Sequence, residues 1–155
     1  MEIVMPKIDV STVPERIGSD YPAPFDEPVS GRIRQALGKA GGLTDFGVNL
    51  MHLPPGVWSS QRHWHSHEEE FVHVLEGELT LVTGAGEQLL RAGDVAAFPR
   101  NVPDGHHMIN HGTIVAVYLD IGSHCADDTC SYSDIDLCIG PEPSDYTHQD
   151  GTKYP

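Results

Sequence analysis

Cysteine is scarce in this chain, and positive charge is scarcer than negative by a wide margin. The cysteines are Cys125, Cys130 and Cys138, an odd number with no CxxC pair, which argues against a disulfide framework. A zinc site built from His124, Cys125 and Cys130 has the wrong spacing for the common structural sites. Lys and Arg number 9 against 23 Asp and Glu, giving a formal net charge of −14. A field of that sign repels phosphate backbones and anionic lipid surfaces, so nucleic acid and membrane are both set aside as partners. No apolar run approaches the length that spans a bilayer. The opening residues, MEIVMPKIDV, hold neither a long apolar region nor a basic leader. These absences together predict a cytoplasmic protein with reduced thiols.

Turn formers are abundant. There are 16 Gly and 12 Pro in 155 residues, with no repeat period. Such punctuation suits an all-β domain, and the length suits one domain with a core of its own. Residues 1–30 carry Pro14, Pro22, Pro24 and Pro28 and read as an extended arm. Residues 31–40 fit one or two helical turns or an edge strand. Alternation begins at Leu43 and runs to Leu53, with Phe46, Val48 and Leu50 on one face. Short strands are then predicted over 60–65, 70–75, 78–83, 87–91, 94–98, 106–110 and 113–121, separated by Gly- and Pro-bearing turns. That rhythm predicts a sandwich or barrel. The last strand is apolar on both faces and should be covered on both. The expected organisation is an arm over 1–42, a barrel over 43–121 and an extension over 122–155. That extension is expected to pack on the barrel or on a partner chain; its polar, turn-rich tail is either loose or pinned there by Tyr146 and Tyr154.

One stretch carries chemistry: QRHWHSHEEEFVHVLEGE, residues 61–78. Side chains at i and i+2 of a strand share a face with Cα atoms about 6.5–7 Å apart. Two imidazoles can lean from there onto one metal ion at about 2.0–2.1 Å. His63 with His65, and His65 with His67, both satisfy this. Glu70 lies at an odd offset from His65, so it joins the histidines only if the chain bends between Ser66 and Glu69. A new strand from Glu70 would then aim Val72 and Val74 with Glu70, and His73 away. Glu68 and Glu69 are expected to be solvent-exposed, or one of them to orient a ligand imidazole. A further ligand should come from residues 99–110, PRNVPDGHHMIN, where His106 and His107 face opposite ways.

At these residues the sequence resembles the cupin superfamily. The first cupin motif reads G, about five residues, HxH, three or four residues, E, six residues, G. Here Gly56, His63-Trp64-His65, Glu70 and Gly77 follow it with one extra residue after Gly56. The second reads G, five residues, P, x, G, two residues, H, three residues, N. Gly93, Pro99, His106 and Asn110 match it, while Asn101 stands where the motif has glycine and two extra residues precede the histidine. Fifteen residues separate Gly77 from Gly93, as in short microbial members. The resemblance implies a double-stranded β-helix, or jelly-roll barrel. It also implies one divalent metal ion, such as Zn, Fe, Mn or Ni, held by His63, His65, Glu70 and His106.

Parity adds pocket walls. Gln61 lies on the side of His63 and His65, Val72 on that of Glu70, and Met108 and Asn110 on that of His106. The result is a mostly apolar pocket for a small organic ligand or substrate. Three functional readings follow: a metal-dependent isomerase, lyase, decarboxylase or dioxygenase on a small oxygenated metabolite; a non-catalytic binding or sensor domain; and a storage barrel, which retention of four ligands argues against. The resemblance further implies a homodimer.

Overall fold

The alternation that starts near Leu43 becomes a strand because one face of it is buried. A computed structural model describes residues 6–155, and residues 1–5 of the arm lie outside the described residues. In chain order the strands are β1 (Glu15–Ile17), β2 (Ile33–Ala36), β3 (Phe46–Leu53), β4 (His63–His65), β5 (Glu70–Glu76), β6 (Glu78–Thr83), β7 (Gly86–Arg91), β8 (Val95–Phe98), β9 (His107–Ile109), β10 (Ala116–Ser123), β11 (Cys130–Tyr132), β12 (Cys138–Ile139) and β13 (Tyr146–Thr147). One helical turn, α1 (Leu37–Ala40), follows β2 directly. Residues 31–40 thus use both of the conformations their pattern allows.

Three antiparallel sheets wrap into a jelly-roll barrel. Their strand orders are β1-β2-β3-β10-β5-β8, β13-β12-β11-β4 and β7-β6-β9. β5 and β6 join at Gly77, which has φ of +72°. A Cβ there would sit 3.1 Å from the Ala116 Cα and 3.2 Å from the Val115 carbonyl oxygen, so both the backbone angle and the close approach select glycine. β10 is paired on both edges, by β3 and β5. Its inward side chains, Ala116 and Tyr118, join Met51, Leu53, Val72, Val74, Leu79, Leu81, Leu90 and Met108 in the core. Each large aliphatic side chain buried there contributes about 1.5–3 kcal/mol relative to exposure.

The outward face of the six-stranded sheet is less well covered. Leu50, Leu119 and Ile121 are half-buried there, while Ile17, Phe71 and Leu75 are exposed.

A second, smaller cluster ties the two ends of the chain together. Cys130, Tyr132 and Leu137 are buried in it, with Tyr21, Phe25, Tyr146 and Tyr154 packed around them. Tyr21 meets Tyr132 and Tyr146 at centroid distances of 5.6 Å each, and Phe25 meets Tyr154 edge-on at 6.0 Å. Tyr146 and Tyr154 therefore pin the extension to residues of their own chain. Among the described residues, no helix is long and apolar enough to cross a membrane.

Candidate metal centre

β4 is only three residues long, which is enough to put His63 and His65 on one face, their rings 5.1 Å apart and nearly perpendicular. The chain then bends through residues 66–69. Asp128, in the extension, holds that bend by accepting from the backbone N–H groups of His67 at 2.8 Å and Glu68 at 3.0 Å. The bend resets the strand parity. Glu70 opens β5 facing the histidines, Val72 and Val74 follow it into the core, and His73 points away.

His106 reaches the same point from a loop that must hug β4. Asn101, standing where the second motif has glycine, adopts φ of +57°, a left-handed conformation that Asn tolerates better than most residues. A Cβ on Gly105 would collide with Ser133 Oγ and lie 3.1 Å from the His63 nitrogen. The His106 backbone N–H donates to the His63 carbonyl at 2.9 Å, and the His63 N–H returns the bond at 3.2 Å. Phe98 stacks flat on the His106 ring at 3.5 Å. His107 goes the other way, with its Nδ1 2.9 Å from the Ser60 carbonyl and its ring edge-on to Trp58.

The three Nε2 atoms converge on one oxygen. Glu70 Oε2 lies 2.7 Å from His106 Nε2, 3.4 Å from His63 Nε2 and 3.6 Å from His65 Nε2. It is buried, yet no well-aligned hydrogen bond reaches it. Burial alone would raise the Glu70 carboxyl, but the charge of His63 and the three imidazole contacts hold it well below its usual range. Burial pushes His106 below the ordinary histidine value despite Glu70, which favours the neutral ring a ligand needs. A carboxylate oxygen without a proton donor, ringed by imidazole nitrogens, fits a divalent cation. The residues that the resemblance selects, His63, His65, Glu70 and His106, are thus brought together; His67 is exposed at the bend.

The second nitrogens are held too. His63 Nδ1 lies 2.9 Å from the Gln61 carbonyl and His65 Nδ1 lies 2.7 Å from Asp128 Oδ2. Both contacts occupy Nδ1, which leaves Nε2 as the nitrogen available to a cation once any proton on it is displaced. Burial lowers the His65 pKa, but Glu70 and then Asp128 outweigh it and lift it to about 9. The expected orienting role of Glu68 or Glu69 therefore falls to Asp128. Glu68 Oε1 instead accepts from the Cys125 N–H at 3.0 Å, and exposed Glu69 meets Arg100 at 3.5 Å. Among the described residues, His124, Cys125 and Cys130 do not form a common metal-holding group.

Two compartments meet at Glu70, His106 and Phe98. The larger is about 380 Å³, with Trp64, Leu81, Leu90 and Val102 among its walls and Gln88 and Asp104 as polar groups. The smaller is about 170 Å³ and is lined by Val72, Met108, Tyr118, Tyr21, Arg32, Arg34 and Asp120, among others. Val72 and Met108 are therefore pocket walls, as parity predicts. Gln61 and Asn110 are not. Gln61 Nε2 donates to the Phe25 carbonyl at 2.9 Å. Asn110 Nδ2 donates to the carbonyls of Leu53 at 2.7 Å and Ile114 at 2.8 Å, and its Oδ1 accepts from the Gly112 N–H at 2.8 Å. Both positions lie inside the predicted strands but just beyond the ends of the observed β4 and β9, where parity no longer applies.

Asp120, Asp128, Arg32 and Arg34 escaped the sequence reading. Asp120 had a signal: it is the one charged residue in the apolar stretch Thr113–Ile121. Burial first, and then the charge of Glu70, pushes its carboxyl up to about 6.

Comparison with known proteins follows the same geometry. The Cupin domain family matches residues 49–122. A solved structure from Silicibacter pomeroyi DSS-3, described as a sugar phosphate isomerase from a cupin superfamily, is 41% identical over 97% of each chain, with a TM-score of 0.92. One from Acidithiobacillus ferrooxidans, provisionally named a sugar phosphate isomerase, is 28% identical over 81% of each chain at a TM-score of 0.73. The polyketide cyclase RemF of Streptomyces resistomycificus shares the fold alone, at 17% identity over 77% of this chain and 80% of its own, with a TM-score of 0.61. No curated protein matches the chain.

Proposed function

The chain belongs to the cupin superfamily, and from that premise we propose that it is a metal-dependent isomerase of a small hydroxy-carbonyl metabolite. The observation that carries the reading is the convergence of three imidazole nitrogens on Glu70 Oε2 at the junction of two cavities. The names of the Silicibacter and Acidithiobacillus relatives favour isomerisation over oxygen chemistry.

His63, His65, His106 and Glu70 would hold one divalent ion, which when bound polarises a carbonyl and stabilises an enediolate. The remaining steps belong to the chain. Asp128 and the Gln61 carbonyl keep His65 and His63 turned toward the ion. Phe98 holds the His106 plane and shields it from water. Asp120 lines the smaller compartment beside Glu70 and is the carboxyl placed to take a proton from one substrate carbon and return it to the next.

The test is deuterium exchange followed by proton NMR. Small hydroxy-aldehydes and hydroxy-ketones, with and without a phosphate, are incubated anaerobically in D₂O with metal-loaded protein. Isomerisation with deuterium incorporated beside the carbonyl is expected, with loss of both in Glu70→Ala. Turnover that requires oxygen would overturn the isomerase reading in favour of a dioxygenase. Tight ligand binding with no exchange across the panel would instead favour a sensor.

The exposed apolar residues on the outer face of the six-stranded sheet support a homodimer through that face. Light scattering should give twice the 16.9 kDa chain mass, and Phe71→Glu should return the protein to that mass.

A further inference from the structure

Positive charge is rare in this chain, and where it is spent is informative. Three of the nine Lys and Arg residues, Arg16, Arg32 and Arg34, fall in the β1–β2 region. Arg16 stands opposite Arg34 in the antiparallel register. Arg34 stands opposite Met51, a core residue, so its side chain leaves the sheet on the inward face. Arg32 is two residues away on the same side.

These arginines are not equally occupied. Arg16 is ion-paired with Asp20. Arg32 is clamped: its Nη1 donates to the Ser59 carbonyl at 2.6 Å and its Nη2 to the Gly18 carbonyl at 3.2 Å. Its Nε is buried with no hydrogen-bond partner. Arg34 is half-buried and, among the described residues, has neither an ion pair nor a side-chain hydrogen bond. Burial, and then the charges of Arg16 and Arg32, lower its pKa. Asp120 shares the compartment but is not within ion-pairing distance of either guanidinium. Two guanidinium groups side by side in a compartment of about 170 Å³, with no carboxylate paired directly to either, leave charge that a bound anion would neutralise. A planar guanidinium fork matches phosphate and carboxylate oxygens.

We propose that Arg32 and Arg34 form an oxyanion-binding subsite, taking the phosphate or carboxylate of a substrate whose oxygenated carbons reach Glu70 and His106. The compartment touches both the arginines and those two residues, so a short molecule can span them. The substrate of the proposed isomerase is then an anionic hydroxy-carbonyl compound. This rests on that reading for the reaction, but binding of the anion does not require turnover.

The experiment titrates full-length, metal-loaded protein with inorganic phosphate and, separately, with acetate, by calorimetry at low ionic strength. Loss of one charge-assisted contact should weaken binding about ten- to a hundredfold in Arg34→Met, with partial recovery in Arg34→Lys. Arg100→Met, on the exposed loop, should bind like the parent. Phosphate binding alone identifies a phosphate ester as the natural group, and binding of acetate as well identifies a carboxylate; both uphold the subsite. An affinity unchanged in Arg34→Met for both anions overturns it. A second measurement covers failure of that variant to fold. Phenylglyoxal labelling of the parent, read by mass spectrometry, should show Arg34 protected by phosphate or by acetate and Arg100 unprotected. Equal labelling of Arg34 with and without either anion overturns the proposal. In His106→Ala, anion binding should persist while metal is lost, which separates failure of the subsite from failure of the metal centre.

Discussion

The barrel and the chain ends contribute to the centre in different ways. Residues 49–122 supply all four groups that converge on one point, His63, His65, Glu70 and His106. The arm and the extension supply what surrounds them: Asp128 behind His65, Tyr21 and the two arginines around the smaller compartment, and Tyr132 against His63 at 5.9 Å. The lesson is a division of labour. A barrel that many chemistries share carries the four groups proposed to hold a cation, and the parts outside it set their orientation and the company they keep.

The sharpest way to break this comparison is to remove a barrel ligand. Glu70→Ala or His106→Ala should reduce metal affinity by more than about 100-fold, beyond the range typical of groups behind the ligands. Elemental analysis of untagged protein and chelator competition would read it. Metal content equal to the parent's would remove that residue from the ligand set.

Asp128→Ala attacks the same centre from the extension. It frees the His65 ring and loosens the 66–69 bend, so metal affinity should fall about 10–100-fold. A loss as large as that of Glu70→Ala would erase the distinction between barrel and extension.

A pH series sharpens it further. In metal-free protein the His65 pKa is lifted to about 9 from an ordinary 6.5. That group's contribution to stability is fully present below about 6.5 and is lost as the pH rises through about 9. Thermal unfolding of the metal-free protein should show this decline, flattened in Glu70→Gln. A flat profile in the parent would mean that His65 is neutral in the folded state.

The smallest effect concerns the aromatic seam between the ends. A double-mutant cycle on Phe25→Ala and Tyr154→Ala should give a coupling of about 0.5–1.5 kcal/mol. Additive losses would show that the two ends pack independently.

The barrel's contribution was legible in the sequence because it is local. The HxH step needs only strand periodicity, and the parity break at Glu70 follows from counting. Choosing His63 over His67, and His106 over His107, took the family resemblance, since spacing left both pairs open. Asn101 looked like a departure from the second motif, yet its left-handed backbone takes the place of glycine. Parity failed where strands ended sooner than expected. β4 begins at His63 and β9 ends at Ile109, so Gln61 and Asn110 turn their amides to backbone carbonyls instead of the cavity. Asp128 was invisible because its partner is His65, distant along the chain, and the strands that carry it inward are two or three residues long. Residues 31–40 were ambiguous between strand and helix, and that ambiguity hid the direction of Arg34.

The grip of Asp128 on the 66–69 bend joins two tasks in one carboxylate, since it fixes the His65 ring and closes the turn beside it. Any event that lifted the extension from the barrel would release both at once. A cation held by the proposed ligands would then exchange faster, with none of the four ligands altered.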